Sequence, residues 1–214
     1  ETYVPKKLVR HLLGSGDLVS TQRTVTIMFT DVVDFTAAAE KTTAAEVATL
    51  LNRHFDLLGR CIEDEGGTID KFIGDCVMAF WGAPDDQPDH ADRAMRAARA
   101  ITLAVAEDNA DRRRQGLSPL RVRVGVHSGP VISGNIGMSG RSAYTIVGDA
   151  VNVCNRLEQL GKSVAPNEEI VVLLSGETVG FLTEDRSDLT PLGKHCLPGR
   201  TEQTEIYRLP TKAG

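Results

Sequence analysis

GGTIDKFIGDCVMAFWG, residues 66–82, carries the architecture. Thr68–Ile73 and Cys76–Trp81 are short runs rich in β-branched and aromatic residues, separated only by Gly74-Asp75. They predict a tight hairpin with an aspartate at its tip and Lys71 on its incoming strand. Upstream, Thr43 followed by Glu46 is a capping-box pattern, and Val47, Leu50, Leu51, Phe55, Leu58 and Ile62 recur at helical spacing as far as Gly66-Gly67. Before that helix, Thr24–Phe29 reads as a strand, residues 15–23 as a polar connector, and Pro5–Leu13 as a short amphipathic helix ended by Gly14. Downstream, a helix is expected over 89–108, with Ala94, Ala98, Ile101 and Val105 on a small-residue face. Leu120–Val126 and Val131–Ile136 read as two strands joined by a turn at His127-Ser128-Gly129-Pro130. A helix over Asp149–Leu160 and strands over Ile170–Leu174 and Glu205–Leu209 complete the pattern. Helices interleaved with hairpins imply an α+β fold with helices packed on a mixed sheet, divided into an N-terminal segment, 1–23, and a main domain, 24–214.

Bulk properties narrow the function. The 214 residues are 41% apolar, enough for one substantial core. The 24 basic and 29 acidic residues leave a net charge of -5, which disfavours broad attraction to nucleic acid or anionic membrane, so phosphate chemistry here needs local cations or metals. The basic run Arg112–Arg114 lacks interleaved aromatics and reads as a solvated helix end rather than a nucleic-acid patch. No apolar run approaches the roughly 20 residues that span a bilayer, and no signal-peptide pattern is visible. Cys61, Cys76, Cys154 and Cys196 form no CxxC pair and the five histidines no HExxH, so reduced structural thiols in a cytosolic setting are expected. A chain that opens at Glu1 suggests a piece of a longer protein.

Three segments carry candidate chemistry. In IMFTDVVDFT, residues 27–36, an apolar strand ends in Asp31 and is followed by a turn with Phe35 and Thr36. The carboxylate can hold a hard cation and the following amides can point at phosphate oxygens, although an aspartate there also serves as an ordinary turn or cap residue. Asp75 at the hairpin tip would repel Asp31 if the two met, and a divalent cation between them would relieve it. The alternative is a type I' turn in which Gly74-Asp75 only supplies backbone angles. In YTIVGDAVNVCNRLEQL, residues 144–160, Asn152 and Arg156 lie four apart on one helix face. There they can orient a ribose and neutralise a phosphoryl group, or simply meet solvent.

Taken together, FTDVVDFT, DKFIGD, RVGVHSGPV and VGDAVNVCNR, in that order and spacing, resemble the class III adenylyl and guanylyl cyclase catalytic domain from about Thr24 to Leu209. The resemblance implies a ferredoxin-like, palm-type fold with a largely antiparallel sheet. It makes Asp31 and Asp75 the ligands of two divalent cations, Mg²⁺ or Mn²⁺, and Lys71 and Thr145 the purine-contacting pair. Asn152 and Arg156 become the residues that orient the ribose and stabilise the transition state, with Phe35 and Thr36 near the phosphates. Lys with Thr is similar to the adenylyl subgroup that contains bicarbonate-responsive enzymes. A head-to-tail homodimer with two composite sites follows, converting ATP to 3',5'-cyclic AMP and pyrophosphate, with an upstream sensor or membrane segment in the full-length protein. A guanylyl cyclase and a silent nucleotide-binding dimerisation module stand as alternatives. Two positions depart from the pattern: Asp34 replaces a more usual Gly or Asn and should restrict the backbone, and Pro198 replaces a frequent Lys, a phosphate contact for which Arg200 could substitute.

Overall fold

The computed structural model describes residues 20–35, 43–138 and 141–211, with Arg141 and Ser142 described by their backbone alone. The helix expected over Pro5–Leu13 and the candidate Thr36 lie outside the described residues. In chain order the elements are β1 (Thr21–Val32), α1 (Ala44–Asp64), β2 (Thr68–Ile73), β3 (Cys76–Trp81), α2 (His90–Arg114), β4 (Val122–Met138), β5 (Arg141–Val147), α3 (Asp149–Val164), β6 (Ile170–Ser175), α4 (Gly176–Phe181), β7 (Thr190–Cys196) and β8 (Gln203–Leu209). The strands form one sheet ordered β2-β3-β1-β4-β6-β8-β7, with β5 paired to β4. Every pairing is antiparallel except β4 with β6, so the α+β expectation holds.

The hairpin bounds are those the sequence predicts. The first helix begins as its capping box requires: Thr43 Oγ1 accepts from Glu46 N, and Glu46 accepts from Thr43 N at 3.0 Å. Its buried side, Leu58 and Ile62, packs with Ala94, Ala98 and Ile101 of α2 against one face of the sheet. On the other face α3 lays Ala150 and Cys154 over Val25, Ile27 and Phe29 of β1, and Val153 and Leu157 over Val171 and Leu173 of β6. Strand alternation divides the two layers, Ile27 and Phe29 facing α3 while Met28 faces α1 and α2. Strand β6 is buried on both faces, and for that reason it is apolar at every position from Ile170 to Leu174. Fully burying a Leu or Ile contributes about 1.5–3 kcal/mol, so these two layers supply most of the cohesion.

Gly125 fixes how closely α3 approaches. A Cβ there would stand 2.5 Å from Glu158 N and 2.6 Å from Cys154 O, which means the helix backbone rests directly on β4.

The structure corrects three expectations. His127-Ser128-Gly129-Pro130 is no turn, because β4 runs unbroken from Val122 to Met138 and pairs with β1 from Thr21↔Ser133 to Val32↔Val122. That ladder overrides the local Gly-Pro signal. Pro130 falls between the stretch of β4 paired to β6 and the stretch paired to β5, where a residue without an N–H is tolerated. Secondly, α2 does not stop at Asp108 but continues to Arg114; the three arginines form its last turn, as the helix-end reading expected, with Arg113 pairing with Glu169 and Arg114 with Asp111. Thirdly, β5, β7 and α4 are elements the sequence reading does not contain, and β1 starts at Thr21, inside the expected connector.

Candidate active site

Asp31 sits near the end of β1 and Asp75 at the β2–β3 tip. The hairpin pairs with β1 in a register that sets Thr30 opposite Val77, so the two aspartates come together. Asp75 Oδ2 accepts from the backbone N of Val32 at 3.0 Å. Gly74 takes a left-handed φ of +63°, whereas Asp34 is the one non-glycine with a positive φ among the described residues. Asp75 therefore does not supply the turn with two left-handed residues, as a type I' hairpin would require. Its carboxylate is directed at β1. Burial, and then the charge of Asp31, push the Asp75 carboxyl above its usual range.

This acidic corner is deeper than the sequence suggested. Lys162 Nζ lies 2.5 Å from Asp31 Oδ2 and 3.7 Å from Glu158, both lysine and glutamate coming from α3. Glu158 is 3% exposed, its Oε1 has no hydrogen-bond partner among the described residues, and burial followed by the charge of Asp31 raises its pKa to about 7. Neither Glu158 nor Lys162 was singled out from sequence; the available signal was their i,i+4 spacing, with Lys162 two residues past the expected helix end at Leu160 but inside α3 as observed. The adjacent carboxylates are oxygen donors that suit a hard divalent cation, and the Lys162 ammonium stands on Asp31 where it would compete with one. No group of three or more His, Cys, Asp or Glu side chains among the described residues makes a closed metal cage. Two protein carboxylates would leave the remaining positions to water and phosphate oxygens.

Lys71 and Thr145, 74 residues apart, meet: Lys71 Nζ donates to Thr145 Oγ1 at 3.4 Å. Between them sits Asp70, which the sequence reading missed. Thr145 Oγ1 donates to Asp70 Oδ2 at 2.6 Å, and Lys71 Nζ is 3.7 Å from Asp70 Oδ1. The Asp70 side chain is 2% exposed. Burial pushes its carboxyl up, while the Thr145 hydroxyl and the Lys71 ammonium pull it back.

Asn152 is exposed and Arg156 half-buried on α3. At about 100° per residue, Arg156 and Glu158 point roughly 160° apart around the helix. Arg156 faces the β7–β8 turn, where a Cβ on Gly199 would lie 3.3 Å from Arg156 Nη2. Among the described residues no hydrogen bond or ion pair joins Asn152 or Arg156 to Asp31 or Asp75.

The peripheral candidates divide. Phe35 is half-buried just past the β1 turn. Asp34 adopts φ +59° and pairs with Arg121, so this aspartate takes the left-handed angle that glycine or asparagine would have provided, and the expected restriction of the backbone does not arise. Arg200 follows Pro198-Gly199 in a turn closed by Arg200 N to Leu197 O at 3.0 Å, and its guanidinium is engaged by Asp149 in the first turn of α3. All four cysteines are free thiols. No helix among the described residues is long and apolar enough to cross a membrane.

The sequence pattern of the adenylate and guanylate cyclase catalytic domain matches residues 19–210, and the chain belongs to that family. It is 37% identical over 210 residues to adenylate cyclase 1 of Rhizobium meliloti (strain 1021), covering 97% of this chain but 31% of that protein. The chain thus spans under a third of that curated relative. Among solved structures, the adenylyl cyclase CyaB from P. aeruginosa superposes with a TM-score of 0.79 at 30% identity, covering 90% of this chain and 96% of that one. The guanylyl cyclase Cya2 superposes at 0.76, also at 30% identity, covering 88% and 92%. Backbone similarity alone therefore does not choose between purines. That choice falls to side chains.

Proposed function

We propose that this domain is an adenylyl cyclase that makes 3',5'-cyclic AMP and pyrophosphate from ATP at sites shared between two copies of the chain. The observation that carries the shared site is the orientation of α3. Its Glu158 and Lys162 turn toward the aspartate pair while Arg156 turns away from it, so one chain does not assemble both halves around one nucleotide. A head-to-tail partner brings Asn152 and Arg156 to the aspartates of the first chain.

Asp31 and Asp75 are the side chains that would hold two divalent cations, Mg²⁺ or Mn²⁺, whose chemistry when bound is to acidify the ribose 3'-hydroxyl and to neutralise the departing pyrophosphate. Asn152 holds the ribose so that its 3'-oxygen lies in line with the α-phosphorus. As that oxygen attacks, the bond to the pyrophosphate oxygen breaks, and Arg156 neutralises charge on the α-phosphoryl oxygens. Lys71 and Thr145 read the base: the threonine oxygen accepts from the adenine amino group, and guanine offers a carbonyl in that place. Backbone amides around Phe35 and Thr36 and the Arg200 guanidinium serve the phosphates. An ATP-consuming domain fits the cytoplasm, and the chain ahead of β1 would link it to an upstream sensor or membrane segment in a longer protein.

The test is complementation. An Asp31→Ala chain and an Arg156→Ala chain, each assayed with Mn²⁺ and ATP, are each expected to lose roughly 10²–10³ in rate. Mixing them should restore cyclic AMP formation, because a heterodimer holds one intact site. Heterodimers without recovery would refute the shared site. A parent chain that binds ATP without turnover would favour the silent module instead.

A further inference from the structure

The least expected group near the base-reading pair is a buried carboxylate. Asp70 lies on β2 and Thr145 on β5, two strands that are not neighbours in the sheet. Burying a charge this completely is costly unless it is paired and hydrogen-bonded, and Asp70 is both, through Thr145 and Lys71. A carboxylate can only accept. The Thr145 hydroxyl has a single proton, and at 2.6 Å that proton is committed to Asp70 Oδ2. What the threonine can then offer outward is lone pairs, one facing the Lys71 ammonium and one left for a ligand.

We infer that Asp70 is a positioning residue for purine choice, locking the Thr145 hydroxyl as an acceptor so that the site takes a base bearing an amino group and opposes one bearing a carbonyl. This rests on the reading of Lys71 and Thr145 as the base contacts. It adds the reason a threonine, which can donate or accept, becomes selective. An asparagine at position 70 keeps the size of the side chain but can present its NH₂ to Thr145 Oγ1. The hydroxyl is then free to turn its proton outward, toward a carbonyl.

The experiment compares ATP with GTP in the parent, Asp70→Asn and Thr145→Val chains. Both kcat/KM with Mn²⁺ and equilibrium binding of each nucleotide are measured. In Asp70→Asn the ATP-to-GTP preference should fall about tenfold, the worth of one well-placed hydrogen bond, with part of the change a gain for GTP. A merely structural role would lower both nucleotides together and leave the ratio unchanged, which overturns the proposal. If Thr145→Val shifts the ratio and Asp70→Asn does not, the base contact stands and the role of Asp70 falls. If Thr145→Val leaves the ratio unchanged, the base-contact reading itself is wrong and the inference falls with it. Should Asp70→Asn fail to fold, Asp70→Ala also frees the hydroxyl and must show the same loss of preference.

Discussion

An aspartate beside a glycine at a hairpin tip is most often there for its backbone, and the conformation of Asp75 argues against that here. Gly74 alone carries the left-handed angle, and the Asp75 carboxylate is set beside Asp31 at a cost that its raised pKa records. For an acid whose folded pKa lies above its unfolded value, ionisation opposes folding at neutral pH, and the opposition eases as pH falls. Asp75→Asn should therefore leave the metal-free domain at least as stable as the parent in a thermal melt. Cyclic AMP formation should nevertheless drop by roughly 10²–10³. A variant that loses stability in step with activity would mean that Asp75 is structural. This residue was legible in the sequence as a candidate because Gly-Asp between two strand-like runs places it at a tip. Glu158 and Lys162 were not, since nothing in NRLEQLGK says which side of its helix meets the aspartates.

At the scale of elements, α3 matters most, because it positions Asn152 and Arg156 on one side and closes the acidic corner with the other. Its seat is Gly125 on β4. Alanine there drives a methyl into backbone atoms of Cys154 and Glu158, which cannot swing aside as a side-chain end would. Gly125→Ala is expected to cost roughly 3 kcal/mol, the upper end of core overpacking, measured as a lowered urea midpoint. Turnover should fall with it as the helix shifts. An unchanged midpoint would show that α3 can retreat freely. Elements set by local chemistry were readable: α1 by its capping box and apolar stripe, and the β2–β3 hairpin to the residue. Strand β4 was not, because a Gly-Pro pair weighs heavily in a local reading and lightly against twelve consecutive pairings with β1.

For the whole molecule, pH exposes how much the fold depends on uncharged histidines. Burial lowers His54 and His127 from 6.5 to about 4. Each contributes stability that is fully present above the unfolded value of about 6.5 and is lost as pH falls toward 4, up to about 3 kcal/mol apiece. Glu158, held up near 7, acts in the opposite sense and gains stability as pH falls from 7 toward 4.5. The raised Asp70 and Asp75 carboxyls act in the same sense as Glu158, so the histidine contribution is read by difference: between pH 6.5 and 4.5 the urea midpoint of the parent should fall relative to that of His54→Leu. Parent and His54→Leu midpoints that move in parallel over that range would contradict the assignment of His54 as buried and neutral.

The linear chain carried the α+β class, the helix and hairpin frame, and the order of the aspartates, the lysine, and the asparagine-arginine pair. Each of these rests on spacings of a few residues, where backbone geometry alone fixes which side chains share a face. It did not carry the union of Asp70 with Thr145, the reach of Lys162 to Asp31, or the divergence of Arg156 from the acidic corner. Those depend on contacts across 75 and 131 residues of chain and on the rotation of α3 over the sheet. Packing against the whole core sets such relations, and no local pattern encodes them.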